Sequence, residues 1–360
     1  MRQSVLQISK NAFKYNINQI KEIVGKDRTI MPVIKANAYG TYINKNIDLI
    51  NEFEIVAVAI VQEGVELRKL GYNKEIFLLN QPYKEDIEDI IKNDITVGVA
   101  SKEFIEELGK NNKQVKVHIE LETGMGRTGV YIKDIEDFIK LLKKYNNIKV
   151  QGIYTHLSSP DFDYDYTNRQ IELFEIGVEK IKKEFNNIKY IHCSASNGIL
   201  NFKKGVANLA RAGIIMYGYP ASDTTFQKID LKPVAKLKSK ISFIKEVEPE
   251  TSISYGRTFI SKEKMKIATV GIGYADGIRR ELSNVGSVVI LGEKAKIVGK
   301  VCMDSFMVDV TKIENVKVGD DVYIWDNEKV LLEDIAQICK TINYEILCNV
   351  SERVPREFVD

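Results

Sequence analysis

The chain has 360 residues, too many for one ordinary small domain, and its 44% hydrophobic, 28% charged composition describes a folded globular protein. A net charge of +2 without a basic patch argues against nucleic acid or an anionic membrane as partner. The N-terminus lacks a signal-peptide core, the longest apolar run (Ile55 to Val61) is far too short for a membrane span, and the cysteines Cys193, Cys302, Cys339 and Cys348 lack CxxC spacing. A cytoplasmic, metal-free enzyme with reduced thiols is therefore expected.

In chain order, short β-branched runs alternate with amphipathic stretches. The runs are residues 30–34, 55–60, 75–79, 95–100, 115–121, 150–156, 190–193 and, roughly, 210–216. Between them, residues 84–93, 130–145 and 169–185 carry apolar positions at three- and four-residue spacing, the helical period. Strands separated by helices need crossover connections, and so a parallel sheet. Eight such units in roughly 200 residues fit a closed (β/α)8 TIM barrel. An open doubly wound sheet usually carries a glycine-rich nucleotide turn after its first strand, and none is present. After about Lys232 the period becomes two, with Gly, Asn and Asp turns, predicting an antiparallel β-domain with one helix at residues 332–342. The expected division is 1–230 for the barrel and 231–360 for the β-domain, the first few residues being left open to pair with the latter.

Reactive groups in such barrels sit at the C-terminal ends of the strands. There strand one ends in Lys35, strand five runs into Glu122 and Arg127, strand six ends at His156, strand seven leads to Ser196, and strand eight carries Arg211 and Gly213. Cations and a hydroxyl at one mouth predict an anionic, phosphorylated ligand. An amine among them is a candidate nucleophile. Lysine with phosphate binding points to a Schiff base with pyridoxal phosphate, the alternative being a solvated lysine.

Eight strings stand in order from Val33 to Arg356: VIKANAYG, ETGMGRTG, YTHLSS, RAGIIMYG, SYGRTF, VGIGYADG, VCMDSFMVDV and RVPR. Together they resemble the fold-type III pyridoxal-phosphate amino-acid racemases, above all the alanine racemases, over nearly the whole chain. The resemblance implies that Lys35 holds pyridoxal 5′-phosphate and then acts as the base on one face of the substrate. Tyr255, reaching the barrel mouth of a second subunit, is implied as the base on the other face, so the active unit is a homodimer. One base per face is the minimal arrangement for inverting a carbon. His156 and Arg211 are implied to hold positive character near the phenol. Arg211 is also implied to bond the pyridine nitrogen; because it stays protonated, the ring is a weaker electron sink, which favours racemisation over transamination.

Tyr39, Ser196 and the backbone N–H groups of Gly213 and Ile214 are the implied phosphate ligands, Ser196 being also a candidate helix N-cap. Arg127 and the backbone of Met303 are the implied clamp on the substrate carboxylate. Cys302 and Asp304 flank that site, and Tyr274 lines the entrance with Arg280 near it. The implied role is interconversion of L- and D-alanine, supplying D-alanine for peptidoglycan.

Three positions depart from the family pattern. Thr41 and Tyr42 follow KANAYG where a histidine is usual. Glu120 stands where many relatives carry a carbamylated lysine, with Glu122 in place of the following aspartate; Glu120 is expected to orient Arg127 directly. Glu352, in SERVPR, replaces the tyrosine of SYRVPR, which opens serine or a basic amino acid as alternative substrates. A decarboxylase of basic amino acids and a non-catalytic pyridoxal-phosphate-binding protein are the rival functions; the SYG tyrosine argues against the first and the β-domain against the second.

Overall fold

The computed structural model describes residues 3–202, 205–222 and 229–360. It divides into two compact units, one of Lys14–Ala38 and Tyr42–Lys232, the other of the N-terminal residues through Phe13, Tyr39–Thr41 and Pro233–Asp360.

The first unit is a parallel barrel. Its strands are Thr29–Pro32, Ile55–Val58, Glu75–Leu78, Ile95–Val99, Val115–Glu122, Ile148–Tyr154, Tyr190–His192 and Leu209–Ala212, here called barrel strands one to eight. Strands two to seven pair in sequence, all parallel. Strand eight pairs in parallel with strand one. The remaining joints are closed by hydrogen bonds from Ile34 N–H to the Ala57 carbonyl (2.9 Å) and from Arg211 N–H to the Ser194 carbonyl (3.0 Å). Covered on both faces, these strands read as unbroken buried runs, which is why their sequences are β-branched rather than alternating.

Helices Lys102–Gly109, Ile135–Lys143 and Tyr164–Glu184 present apolar stripes to the barrel. Ser101 and Asp163 cap two of them, accepting from Phe104 N–H and Tyr166 N–H. The helix expected from residue 130 begins later, because Val130–Tyr131 pairs with Leu121 and Glu122 as a short strand. The run to residue 216 also stops early. After Ala212 the chain turns into a 3₁₀ segment, Ile214–Tyr217.

The second unit is built on the long strand Ala235–Val247, which pairs antiparallel with Met265–Val270 on one side and Asp321–Trp325 on the other. Phe306–Asp309, Glu293–Val298 and Ser287–Ile290 complete the ring between them. A bulge between Ile241 and Phe243 bends the long strand enough to close it. Val5–Ser9 adds to the outside of Ala235–Val247 and pairs in parallel with Arg356–Val359. Two late helices replace the single one expected, Leu332–Ile338 and Asn343–Cys348, with Lys340 at positive φ between them. Among the described residues no helix is long and apolar enough to cross a membrane.

Candidate active site

Barrel strand one leads directly into Lys35, and the chain then does something the sequence does not announce. Ala36, Asn37 and Ala38 have φ and ψ near +50°, and Tyr39 continues at φ 56°, so the segment after the lysine is a left-handed turn. Each non-glycine residue held there costs roughly 1–2 kcal/mol, asparagine least. The surroundings must therefore fix the turn. Glu63 does so from barrel helix Val61–Lys69: one carboxylate oxygen accepts the Ala36 N–H at 2.6 Å, and the other accepts Ala59 N–H at 2.8 Å and Ile60 N–H at 3.3 Å. Tyr42 N–H closes the turn onto the Asn37 carbonyl at 2.8 Å.

On the adjacent strand eight, Arg211 is 2% exposed and organises the mouth. Its Nη1 donates to His192 Nδ1 (2.8 Å) and the His192 carbonyl (3.2 Å); its Nη2 donates to His156 Nδ1 (3.1 Å) and the carbonyls of Thr155 and Cys193 (2.9 and 3.0 Å). A guanidinium only donates, so both Nδ1 atoms are acceptors and both rings carry their proton on Nε2. His192 Nε2–H then donates to His118 Nδ1 at 3.0 Å, leaving the buried His118 Nε2–H without a partner among the described residues.

All three rings are neutral. Burial, then the charges of Arg211, Arg127 and Lys35, lower the pKa of His156 to about 3. Burial, then Lys189, lowers that of His118 to about 3, and burial with Arg211 holds His192 well below its usual value. Of the pair implied to hold positive character, Arg211 carries it and His156 does not. Three histidines scattered in sequence, of which only His156 was singled out, are brought together here. Gly152 makes room for His118, since a Cβ there would lie 2.6 Å from the imidazole ring, beside a register shift between strands five and six.

Glu120, expected to orient Arg127 directly, does not form that ion pair among the described residues. Its Oε2 lies 3.0 Å from the Tyr154 hydroxyl, whose ring stacks on His192 at 5.0 Å. Burial raises the Glu120 carboxyl, opposed by hydrogen bonds from Thr128 and Tyr154 and by the charges of Arg127 and Arg211. The Arg127 loop is shaped by Glu122 instead, which accepts Gly124 N–H and Gly126 N–H at 2.5 and 2.9 Å. Gln170, from the long helix, secures the next loop by accepting Ser158 N–H and donating to the His156 carbonyl. Ser196 opens its helix rather than capping it, and its buried Oγ accepts the Gly213 N–H at 3.2 Å just ahead of Ile214.

The remaining predicted residues lie on the β-domain unit. Tyr255 is 72% exposed, on a tight turn whose neighbours Ser254, Gly256 and Arg257 all have positive φ. The turn is anchored by Ile253 in the apolar cluster with Val247, Met265, Ile267 and Val298, and by Ser254 Oγ donating to the Lys300 carbonyl at 2.6 Å. Ser254 Oγ also lies 3.5 Å from Cys302 Sγ. The carbonyls of Cys302 and Met303 accept the N–H groups of Tyr274 and Ala275, both at 3.0 Å, so the SYGR, YADG and CMD strings converge on one edge.

Asp304 pairs with Arg353 at 2.6 Å, while Tyr274 and Arg280 line an open depression of about 780 Å³. Glu352 is exposed. The last arginine of RVPR, Arg356, bonds the carbonyls of Gly40, Val350, Ser351 and Val354, so that string is structural. Tyr39 is buried against Tyr344, ring centroids 5.8 Å apart, and burial pushes its hydroxyl well above the usual phenol range.

The chain matches the family model for the N-terminal domain of alanine racemase over residues 8–221 and that for its C-terminal domain over residues 234–358. The alanine racemase of Halothermothrix orenii is 41% identical over 362 residues, spanning 98% of this chain and 96% of that protein. That of Methanococcus maripaludis is 39% identical, spanning 98% of each. Among solved structures, alanine racemase from Clostridium difficile 630 matches with a TM-score of 0.94 at 36% identity, covering 100% of this chain and 96% of that one. The Bacillus anthracis enzyme with bound L-Ala-P matches at 0.93 and 32% identity, with the same coverage.

Proposed function

The chain belongs to the alanine racemase family, and from that premise we propose that it interconverts L- and D-alanine with pyridoxal 5′-phosphate held at Lys35. The observation that carries this reading is a lysine presented by a fixed left-handed turn, its charge acting on the same His156 as that of the buried Arg211. The barrel residues suit the cofactor. Ser196 and the backbone at Gly213 and Ile214 offer hydroxyl and N–H groups to a phosphate. Tyr39, kept protonated by burial, is a phosphate donor. Arg211 has its Nη groups engaged, which leaves the Nε–H to meet a ring nitrogen.

When bound, the cofactor supplies an electron sink that acidifies the substrate Cα–H. The residues do the rest. The Lys35 amine takes or returns the proton on one face, and the Tyr255 phenol of a second subunit does so on the other. Arg127 receives the substrate carboxylate with its planar fork, helped by the Met303 backbone. The relatives, all alanine racemases by name, support alanine over serine or a basic amino acid, the alternative that Glu352 raises. D-Alanine made in this way suits supply of peptidoglycan precursors.

Chiral analysis of product from purified protein, with alanine, serine, lysine, ornithine and arginine offered in turn, tests the reading. Inversion of alanine is expected, abolished by Lys35→Ala and by Tyr255→Phe. Full activity in either variant would remove the two-base assignment.

A further inference from the structure

Glu63 lies outside every motif of the family resemblance, and one of its contacts exceeds what a helix-capping glutamate needs. The Oε2 contacts with Ala59 and Ile60 N–H serve the start of its own helix, Val61–Lys69. The Oε1 contact, at 2.6 Å, goes to Ala36 N–H, at the exit of a different barrel strand. That N–H belongs to the peptide joining Lys35 to Ala36, so the bond fixes the plane from which the Lys35 side chain departs. It also falls on the first residue of the left-handed turn, an alanine for which that backbone is costly.

We propose that Glu63 is the positioning residue for Lys35: its carboxylate locks the Lys35–Ala36 peptide to the exit of barrel strand two and so fixes where the reactive amine points. This rests on the reading of Lys35 as the cofactor-bearing lysine. Glutamine has one acceptor oxygen where the carboxylate has two, so Glu63→Gln can keep the helix cap or the Ala36 bond but not both.

The test compares wild type, Glu63→Gln and Glu63→Ala, each saturated with pyridoxal phosphate, in three measurements. These are cofactor retention through dialysis, borohydride trapping at Lys35 followed by peptide mass, and the thermal midpoint. With the midpoint of Glu63→Gln near that of wild type, retention and trapping rate are expected to fall by about tenfold, and kcat for alanine to fall while KM moves by less than about twofold. Retention, trapping and kcat all within about twofold of wild type in both variants would overturn the proposal. Should the variants not fold, hydrogen exchange on the wild-type protein decides. A protected Ala36 amide supports the clamp, and exchange there as fast as in an exposed loop overturns it. Failure of wild type to trap cofactor at Lys35 would overturn the underlying reading instead, and the exchange measurement would still report on the clamp.

Discussion

His118 and His156 illustrate how a single residue's environment becomes a property of the whole chain. Unfolded, each ring takes a proton near ~6.5. Folded, burial and neighbouring cations delay that to about 3. Between those values the unfolded state binds more protons, so stability is fully present above pH ~6.5 and is lost as pH falls toward the folded values. At pH 5 the loss is about 2 kcal/mol per ring. His118→Gln keeps an acceptor for His192 Nε2–H and removes one titrating group. Urea unfolding at pH 7 and pH 5 should therefore show a shallower decline for the variant, by about 2 kcal/mol. Parallel pH dependence in the two proteins would mean that His118 is charged, or exposed, in the folded state. The same proton count places the positive character implied for His156 and Arg211 together on Arg211: a histidine facing a guanidinium accepts and stays neutral.

At the scale of elements, the barrel was legible because its strands are covered on both faces and leave β-branched runs, such as Ile95–Val99, that no helix period produces. The turn after Lys35 was not. Of its residues only Asn37 has a side chain suited to left-handed backbone, and alanine carries no such signal. Glu63 was overlooked because its partner Ala36 belongs to another strand's exit, a contact only the ring creates. Glu120 was assigned to Arg127 because it stands where relatives carry a carbamylated lysine, whereas its hydrogen-bond partner Tyr154 sits on the neighbouring strand. The turn itself makes a prediction. The Ala36 side chain is exposed, so Ala36→Gly gives up no packing. It relieves roughly 1–2 kcal/mol of left-handed strain against ~0.4–1 kcal/mol of unfolded-state entropy. A small net gain, about 0.5 kcal/mol, is expected in urea unfolding, and a clear loss for Ala36→Val, whose branched Cβ suits that region least. Equal stability of the three proteins would mean that the turn is not left-handed.

For the molecule as a whole, the exposed Tyr255 turn is the feature with the widest consequence. Most of the phenol is open to solvent within its own chain, on a backbone held by positive-φ residues and an apolar anchor, an arrangement suited to meeting a second copy. If each site draws Lys35 from one chain and Tyr255 from the other, two inactive variants must complement. In a dimer of a Lys35→Ala chain with a Tyr255→Phe chain, one site receives both lesions and the other receives neither. Random pairing makes half the dimers mixed, so co-expression should restore about a quarter of wild-type racemisation from two variants that are inactive alone. The recovered activity should fall on dilution below the dimer dissociation constant, because it resides only in the mixed species. Were Lys35 and Tyr255 of the same chain to serve one site, every mixed dimer would carry two damaged sites and no activity would return. The measurement therefore separates sharing of the site from mere dimerisation, which leaves both arrangements open.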